Sequence, residues 1–256
     1  MTFELNKRQL QILGMVTEQG FVTIESLANY FGISQQTIRR DLILMDQYGF
    51  LCRFHGGAGV AQDQARIPYQ DKQQVAVEAK VKIGHKALSL LQPGMTIFID
   101  VGTTAEAFAK VLKNSAVAPL RVVTASTIVA NLLVGMTGVE VLLPGGCLKS
   151  SDGALTGSFT NKLLHSFRYD LSFISGSGFD VEANLMDFDT DKVLVKHAVI
   201  ERSSKVVVLV DASKYRRNAN VKVVSAEQMD CLVSDAIPVG TINTLLQQAS
   251  VEILLA

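Results

Sequence analysis

The feature that most limits the possible folds is a series of short apolar runs separated by helical stretches, over residues 95–234. The runs are MTIFIDV from Met95, RVVTAS from Arg121, VEVLL from Val139, LSFISG from Leu171, KVVVLV from Lys205 and DCLVS from Asp230. Runs of this kind that alternate with helices are typical of a mostly parallel sheet covered by helices. The larger part of the chain is therefore predicted to be an α/β domain.

The first sixty residues have a different pattern, in which start and stop signals predict three short helices. The first covers about residues 7–19, where Gly20 can end it. Thr23 can cap a second helix that Gly32 ends, and Ser34 can cap a third that reaches about Tyr48. Two amphipathic helices joined by a turn of about three residues indicate a helix-turn-helix.

Helical spacing separates the third helix into an apolar face and a polar front. The polar front consists of Gln35, Gln36, Arg39 and Arg40, opposite the apolar Ile38, Leu42 and Met45. Arginine can pair with guanine and glutamine with adenine, and both can bind phosphate. The front therefore suits DNA, although a polar helix face is also simply a solvated surface in many proteins.

The segment FLCRFHGGAG, from Phe50, is predicted to form a wing beside that helix. As an extended strand it would place Phe50, Cys52 and Phe54 on one side and Leu51, Arg53 and His55 on the other. Arg53 and His55 could then contact the sugar-phosphate backbone. Residues 1–58 carry five basic and five acidic side chains. Since non-specific affinity comes from neutralised phosphates, a single copy is expected to bind DNA weakly. Binding is therefore expected to depend on several copies acting together.

A polar segment, AQDQARIPYQDKQQ, follows the predicted wing, and its Pro68 disfavours helix at the preceding residue. It marks a boundary between two domains. The predicted division is a winged helix-turn-helix over residues 1–58, a linker over residues 59–73, and an α/β ligand-binding domain over residues 74–256.

The loop DVGTTAEAF has the chemistry of a ligand site, because parallel sheets bind ligands where strands end and helices begin. Asp100 closes a strand, Gly102 permits a tight turn, and Thr103 or Thr104 can cap the next helix. Free N–H groups at such a turn favour an anion, especially phosphate. Asp100 would repel that anion and is expected to accept a hydrogen bond from a ligand hydroxyl. An ordinary capped turn remains the alternative.

Further along the chain, Lys214 directly follows the KVVVLV strand within DASKYRRNA, where its charge could neutralise a phosphate or only aid solubility.

Cys52, Cys147 and Cys231 lie too far apart for a disulfide framework or a metal site with close ligand spacing. Apolar runs are too short to cross a bilayer. A soluble, cytoplasmic protein without membrane partner, metal or cofactor is expected.

Taken together, SQQTIRRDL, RFHGGAG, DVGTT, PGG, SGSGFD and DASKYRRNA resemble the DeoR family of bacterial transcriptional repressors almost end to end. The resemblance implies a sensing domain related in fold to ribose-5-phosphate isomerase. It also implies homotetramers that bind operator DNA as repressors and release it when a phosphorylated metabolite binds. FIDVGTTAEAFAKVL and LMDFDTDKV are most similar to the branch that regulates glycerol 3-phosphate metabolism, so the effector is expected to be glycerol 3-phosphate or a sugar phosphate.

The resemblance also implies roles for particular residues. Those implied to face DNA are Ser34, Gln35, Gln36, Thr37, Arg39 and Arg40, with Arg53 and His55 in the wing. Those implied to bind the effector are Asp100, Gly102, Thr103, Thr104, Gly145, Gly146, Gly176, Asp189 and Lys214. The chain departs from the common family pattern at two places near this site. Many members carry Gly-Gly before the segment that here reads Ala183-Asn184-Leu185, and many have Gly after the Ser-Lys-aromatic triplet, where this chain has Arg216.

Two other functions are compatible with an α/β domain of this kind. The domain could still be a sugar-phosphate isomerase or deaminase fused to a DNA-binding domain, because its fold relatives are enzymes. Proton transfer needs positioned carboxylates, yet this chain reads Ser175-Gly176-Ser177-Gly178 and Val195 where the isomerases have acidic residues; Asp187, Asp189 and Asp191 could substitute. A dinucleotide-binding module is the other alternative, but DVGTT lacks G-x-G-x-x-G spacing.

Overall fold

The structure is a computed structural model that describes residues 5–19, 21–48, 50–54, 56–60, 69–217, 219–238 and 240–256. The chain divides into two compact units, Met1–Val75 and Ala76–Ala256. Each unit is described by itself below.

The N-terminal unit is a three-helix cluster with a small antiparallel sheet. Its elements in chain order are α1 (Lys7–Gln19), β1 (Phe21–Thr23), α2 (Ile24–Phe31), α3 (Gln35–Gln47), β2 (Leu51–Phe54), β3 (Gly57–Val60) and α4 (Tyr69–Gln74). Strand β3 pairs with both β1 and β2. The three predicted helices are confirmed, whereas β1 was missed because three residues are too few to show an alternating pattern.

Caps set the helix boundaries in this unit. The Thr23 hydroxyl accepts a hydrogen bond from Ser26 N at 3.0 Å, and Gly32 ends α2 with φ of 64°, a left-handed conformation that favours glycine. The helices then bury Ile12, Leu27, Ile38 and Leu42 completely in one core. Gly20, the predicted stop of the first helix, lies outside the described residues.

The segment predicted as a linker is partly regular. Its first two residues end strand β3, and residues 69–73 belong to helix α4. Residues 61–68 lie outside the described part of the chain.

The C-terminal unit is built on seven parallel strands in the order β15-β14-β12-β9-β4-β5-β6. These strands are β4 (Thr96–Ile99), β5 (Leu120–Val123), β6 (Val139–Leu142), β9 (Leu171–Ile174), β12 (Val206–Leu209), β14 (Cys231–Ser234) and β15 (Glu252–Leu255). All six predicted runs form strands of this sheet, so the predicted α/β class is confirmed. The edge strand β15 was not predicted.

Helices cover both faces of that sheet. They are α5 (Val77–Leu88), α6 (Thr103–Lys113), α7 (Thr127–Leu133), α8 (Ser158–His165), α9 (Thr190–Ile200) and α10 (Thr241–Gln248). Helices α5, α6 and α7 share a core with one face, in which Phe108 packs on Phe173. Helices α8, α9 and α10 share the other core with Phe98 and Val208. Burial on both faces explains why the strands read as continuous apolar runs.

Short strands and turns complete the unit. A hairpin is formed by β7 (Cys147–Leu148) and β8 (Leu155–Thr156), and a small antiparallel sheet by β10 (Gly178–Phe179), β11 (Leu185–Asp187) and β13 (Val221–Val224). Two 3-10 turns span Ala212–Arg216 and Ala226–Gln228. No helix in the described part of the chain is long and apolar enough to span a membrane.

Candidate functional site

Helix α3 is fixed by its cap and its apolar face. The Ser34 hydroxyl accepts a hydrogen bond from Thr37 N at 3.2 Å and lies 2.9 Å from the Thr37 hydroxyl. Ile38, Leu42 and Met45 are completely buried. The local sequence thus determines both where α3 starts and which way it faces.

The opposite face of α3 carries the predicted polar front. Gln35, Gln36, Arg39 and Arg40 are all exposed, and Arg39 Nη2 donates to Gln35 Oε1 at 3.4 Å. Two amides and two guanidinium groups are therefore presented together on a rigid helix, as a surface that reads base edges and phosphates requires.

A buried acid on the back of α3 joins it to α1. Asp41 Oδ2 accepts from Arg8 Nε at 2.6 Å, and Asp41 Oδ1 accepts from Gln9 Nε2 at 3.1 Å. The hydrogen bond that Arg8 donates to Asp41 raises the pKa of the Arg8 guanidinium. Asp41 is adjacent to Arg40 in sequence but is turned inward and paired there.

The wing is present as strands β2 and β3, and Asp46 near the end of α3 positions it. Asp46 Oδ1 accepts from Arg53 N at 3.1 Å, and the Arg53 side chain is exposed. Leu51 and Phe54, which the predicted alternation places on opposite sides of the strand, are both buried, and Leu51 packs in the core of the unit. His55 lies outside the described residues.

In the C-terminal unit the sheet order identifies a crevice of the kind at which parallel sheets bind ligands. From β4 the chain proceeds through β5 to β6 on one side, and from β9 through β12 to β15 on the other. The direction of winding therefore reverses between β4 and β9, and such switch points form ligand crevices at the carboxyl ends of strands. Asp100 follows β4 and Ser175 follows β9, so both lie at this crevice.

Asp100 has its two carboxylate oxygens in different environments. Oδ2 accepts from Ser175 N at 2.9 Å and from Ser175 Oγ at 3.0 Å, and Lys196 Nζ lies 3.3 Å away. Every donor that the described residues bring to Asp100 goes to Oδ2, and Oδ1 receives none. The side chain is 1% exposed. Asp100 is thus oriented by the protein and keeps one acceptor oxygen for another group.

Lys196 is a buried cation that sequence reasoning missed. It is 1% exposed on α9, and its Nζ donates to Ser175 O at 2.7 Å and to Asp187 Oδ2 at 2.6 Å. Burial would lower the pKa of Lys196, but Asp100 and Asp187 together raise it above its ordinary value. The available signal was a lysine on an apolar helix stripe, three residues after Val193 and three before Val199.

The start of α6 lies against the same group. Gly102 has φ of +141°, and a Cβ there would lie 3.2 Å from Ser175 Oγ, so glycine is required by conformation and by space. The predicted threonine cap is wrong: Gly102 is the N-cap, and Thr103 and Thr104 are the first two residues of the helix. Both threonines nonetheless stand at the crevice.

A second buried charged group lies at the end of β12. Lys214 is 9% exposed, and its Nζ is 3.8 Å from Asp211 Oδ2. Burial lowers the pKa of Lys214, while Asp211 opposes that shift. Lys80, buried on α5, also interacts electrostatically with Asp211, and Asp187 interacts with Lys214. These interactions place Lys214 in the electrostatic environment of Asp187, which pairs with Lys196. Effector binding by Lys214 stays a prediction.

Three of the predicted effector residues have other partners. Asp189 caps α9, accepting from Lys192 N at 3.3 Å, and pairs with Lys149 Nζ at 3.2 Å. Gly145 O accepts from Thr160 Oγ1 at 2.8 Å, and a Cβ at Gly146 would overlap that threonine. No contact among the described residues brings these three to Asp100.

Gly176 is adjacent to Ser175, but a Cβ there would lie 2.6 Å from the Leu185 side chain. Glycine is therefore needed at this position for packing. Its backbone still borders the crevice.

The two units together define a class of protein: a DNA-binding regulator with a winged helix-turn-helix and a separate α/β sensor domain. Family comparisons agree, because residues 8–64 match the DeoR-like helix-turn-helix domain and residues 75–236 match the DeoR C terminal sensor domain. The chain belongs to the DeoR family.

Relatives match over nearly the whole length. The Glycerol-3-phosphate regulon repressor of Escherichia coli (strain K12) is 36% identical over 96% of this chain and 97% of its own. The HTH-type transcriptional repressor CsqR of the same organism is 31% identical over 98% of this chain and 95% of its own.

Solved structures are more distant. Ribose 5-phosphate isomerase A from Methanocaldococcus jannaschii aligns with a TM-score of 0.38 and 20% identity over 53% of this chain and 52% of its own. The full-length sorbitol operon regulator SorC from Klebsiella pneumoniae aligns with a TM-score of 0.42 and 14% identity over 96% of this chain and 100% of its own.

Proposed function

We propose that this protein is a transcriptional repressor that binds operator DNA through α3 and the wing and releases it when a phosphorylated polyol or sugar binds at the β4–β9 crevice. The observation that carries the DNA-binding part is the exposed front of Gln35, Gln36, Arg39 and Arg40 on a capped, well-packed helix. Arg53, in the wing, contacts the sugar-phosphate backbone of the DNA. The boundaries 1–58, 59–73 and 74–256 remain the proposed division of these roles.

The effector part rests on the polarity of the crevice. Asp100 Oδ1 suits a ligand hydroxyl, the N–H groups at the start of α6 suit a phosphate, and Lys214 supplies positive charge nearby. Similarity to the Glycerol-3-phosphate regulon repressor makes glycerol 3-phosphate the first compound to test. Asp100, Gly102, Thr103, Thr104, Gly176 and Lys214 are the proposed effector residues.

A homotetramer is proposed from the family resemblance, and the electrically neutral DNA-binding unit gives a reason for several copies to act together. Residues 1–58 carry five basic and five acidic side chains, so one copy gains little from counterion release. Several linked copies on neighbouring half-sites raise the effective concentration of each.

A non-catalytic sensor is proposed in preference to an isomerase. Lys196 is held as a cation by two carboxylates and is therefore no proton acceptor at neutral pH. Val195 is buried and aliphatic, and Asp189 and Asp191 both pair with Lys149. Steady turnover of ribose 5-phosphate or glucosamine 6-phosphate by the purified protein would favour the enzyme instead.

The test is release of DNA by ligand. A fluorescently labelled duplex, selected by the protein from fragments of its own genome, is titrated with protein and then with glycerol 3-phosphate. Release by glycerol 3-phosphate, with none by equal concentrations of glycerol or inorganic phosphate, is the expected result. Failure to retain any DNA fragment contradicts the repressor role, whereas retention without release by any phosphorylated polyol or sugar contradicts the effector class.

A further inference from the structure

The buried charges beside the crevice are arranged so that one oxygen of Asp100 is fully used and the other is not. Ser175 provides two hydrogen bonds to Oδ2, at 2.9 and 3.0 Å, and Lys196 Nζ lies 3.3 Å from the same oxygen. Lys196 reaches this position because it also binds Ser175 O and Asp187 Oδ2, at 2.7 and 2.6 Å. It therefore connects the ends of β4, β9 and β11.

The charge of Lys196 determines what Asp100 can do. Lys196 Nζ lies between the carboxylates of Asp100 and Asp187, 3.3 Å from the first and 2.6 Å from the second, so a single cation faces both. An ionised carboxylate accepts hydrogen bonds and cannot donate them, so Oδ1 favours a hydroxyl and disfavours another anion.

Asp187 has no such remaining oxygen. Its Oδ1 accepts from Ser177 Oγ at 2.8 Å and from Phe188 N at 2.8 Å, and its Oδ2 is bound by Lys196. The asymmetry between the two carboxylates that share Lys196 directs ligand recognition to Asp100. Only two residues separate Asp100 from Thr103, where α6 begins, so a hydroxyl at Oδ1 and a phosphate at α6 can belong to one small molecule.

We propose that Lys196 is a positioning residue of the effector site, which holds Asp100 so that Oδ1 recognises a hydroxyl group on the phosphorylated ligand. The inference rests on the proposed function and adds to it a requirement: the phosphate alone is insufficient, and the effector class is hydroxylated phosphate esters.

The test compares two ligands that differ in hydroxyl groups. Glycerol 3-phosphate and propyl phosphate have the same three-carbon chain and the same phosphate, but propyl phosphate has no hydroxyl. Calorimetric titration of the full-length protein is expected to show glycerol 3-phosphate binding about ten to a hundred times more tightly, as a hydrogen bond to a charged group provides. In Lys196→Met this ratio is expected to fall to within about threefold, with the affinity for propyl phosphate little changed.

A matched control exists on the same helix. Lys192 is one turn before Lys196 and is also paired, in this case with Asp152. Within the described part of the chain it makes no contact with Asp100. Lys192→Met is therefore expected to keep the wild-type ratio. Lys196→Gln keeps most of the side-chain length and its hydrogen-bonding capacity while removing the charge, and it replaces Lys196→Met if the latter fails to fold. The same loss of ratio is expected.

The outcomes separate the inference from the proposed function. Equal binding of both ligands by the wild type overturns the inference and leaves a phosphate sensor intact. An equal loss of both ligands in the Lys196 variants, with folding and DNA binding preserved, also overturns it, because Lys196 would then act on the whole site. Binding of neither ligand, nor of any sugar phosphate, by the wild type contradicts the proposed function itself.

Discussion

Arg39 and Arg40 are expected to provide much of the DNA affinity, because both guanidinium groups are exposed on a helix whose buried side is fixed. Arg39→Ala should weaken binding of the selected duplex by about 1–3 kcal/mol and relax sequence specificity if Arg39 contacts a base. If Arg39 contacts only phosphate, the substitution should weaken binding of all duplexes alike and lower the salt dependence. Fluorescence anisotropy at several salt concentrations distinguishes these contacts.

The control for this measurement is Arg168→Ala, which removes the same charge from an exposed position of the C-terminal unit. It should leave DNA binding unchanged. Glycerol 3-phosphate affinity of the DNA-free protein should be unchanged in Arg39→Ala. Equal DNA affinity of Arg39→Ala and wild type under all salt conditions would remove Arg39 from the interface.

Lys80 gives the protein a predictable pH dependence of stability. It is 4% exposed, and burial lowers its pKa to about 8, with Asp211 partly opposing the shift. In the unfolded chain a lysine keeps its proton up to about pH 10.4. Between about pH 8 and 10 the unfolded state therefore binds more protons, so the free energy of unfolding should rise with pH in this window.

Urea unfolding at pH 7.5 and pH 9.5 measures this effect. The contribution of Lys80 to the increase should be on the order of 1–2 kcal/mol, and Lys80→Met should lack it while retaining the contributions of all other groups. Identical pH profiles for wild type and variant would show that Lys80 keeps an ordinary pKa in the folded protein.

At the scale of elements, the hairpin β7–β8 is held by reciprocal charges on α9. Lys149 of the hairpin pairs with Asp189 and Asp191, and Lys192 of α9 pairs with Asp152 between the two strands. The other side of the hairpin is fixed by backbone, since Leu155 N donates to Ala125 O at 2.8 Å. Lys149→Met should therefore loosen residues 147–153 without unfolding the sheet.

Hydrogen exchange measures this loosening directly. Amides of residues 147–153 should exchange several times faster in Lys149→Met, while total stability should fall by only about 1 kcal/mol, since Lys149 and Asp191 are partly exposed. Arg121→Met, which breaks the exposed pair with Glu140, is the control and should leave the hairpin unchanged. Unchanged exchange in Lys149→Met would mean that backbone contacts alone hold the hairpin.

The elements were predictable from sequence where a local signal exists. Apolar runs identified six of the seven parallel strands, and Thr23, Gly32 and Ser34 marked helix ends correctly because caps act within a few residues. The Gln/Arg front followed from helical spacing. The N-cap of α6 was not predictable, because Gly102 takes that position in a backbone conformation that the sequence does not reveal.

The effector site was only half predictable, because its key contacts join residues far apart in the chain. Asp100 was identified from the end of its own strand, but Ser175 is 75 residues away from it. Lys196 was missed since a single lysine in an apolar stripe reads as surface until its two carboxylate partners are located. Asp189 caps α9, and its predicted role in effector binding stays a prediction.

One of the two segments that differ from the family pattern has an unusual backbone conformation. Ala183, which begins the segment that departs from the family pattern, adopts φ of 60°, a conformation that costs a non-glycine residue about 1–2 kcal/mol. Ala183 is fully buried in the core, and its methyl group offsets part of that cost by packing. The departure therefore changes local stability near β11 and leaves the charged residues of the crevice in place.

At the scale of the whole molecule, repression and release must be two sides of one coupling free energy. If ligand at the crevice weakens DNA binding, DNA must weaken ligand binding by the same factor, whatever rearrangement connects the two units. That factor is typically about 5- to 150-fold. The prediction needs four affinities: DNA with and without glycerol 3-phosphate, and glycerol 3-phosphate with and without saturating duplex. Unequal factors would show that the ligand acts at a site outside this cycle.

Asp100→Ala tests whether Asp100 recognises the ligand whose binding weakens the DNA complex. It removes the oriented Asp100 carboxylate at the β4 end while leaving α3, about sixty residues earlier in the chain, unaltered. The variant should bind the duplex with wild-type affinity, bind glycerol 3-phosphate at least tenfold more weakly, and remain on DNA at ligand concentrations that release the wild type. At ligand concentrations high enough to fill the site, glycerol 3-phosphate should still lower the DNA affinity of the variant by the full wild-type factor. The reason is that Asp100 sets the affinity for the ligand, whereas the coupling depends on the site being occupied. Release at the wild-type concentration would exclude Asp100 from effector recognition.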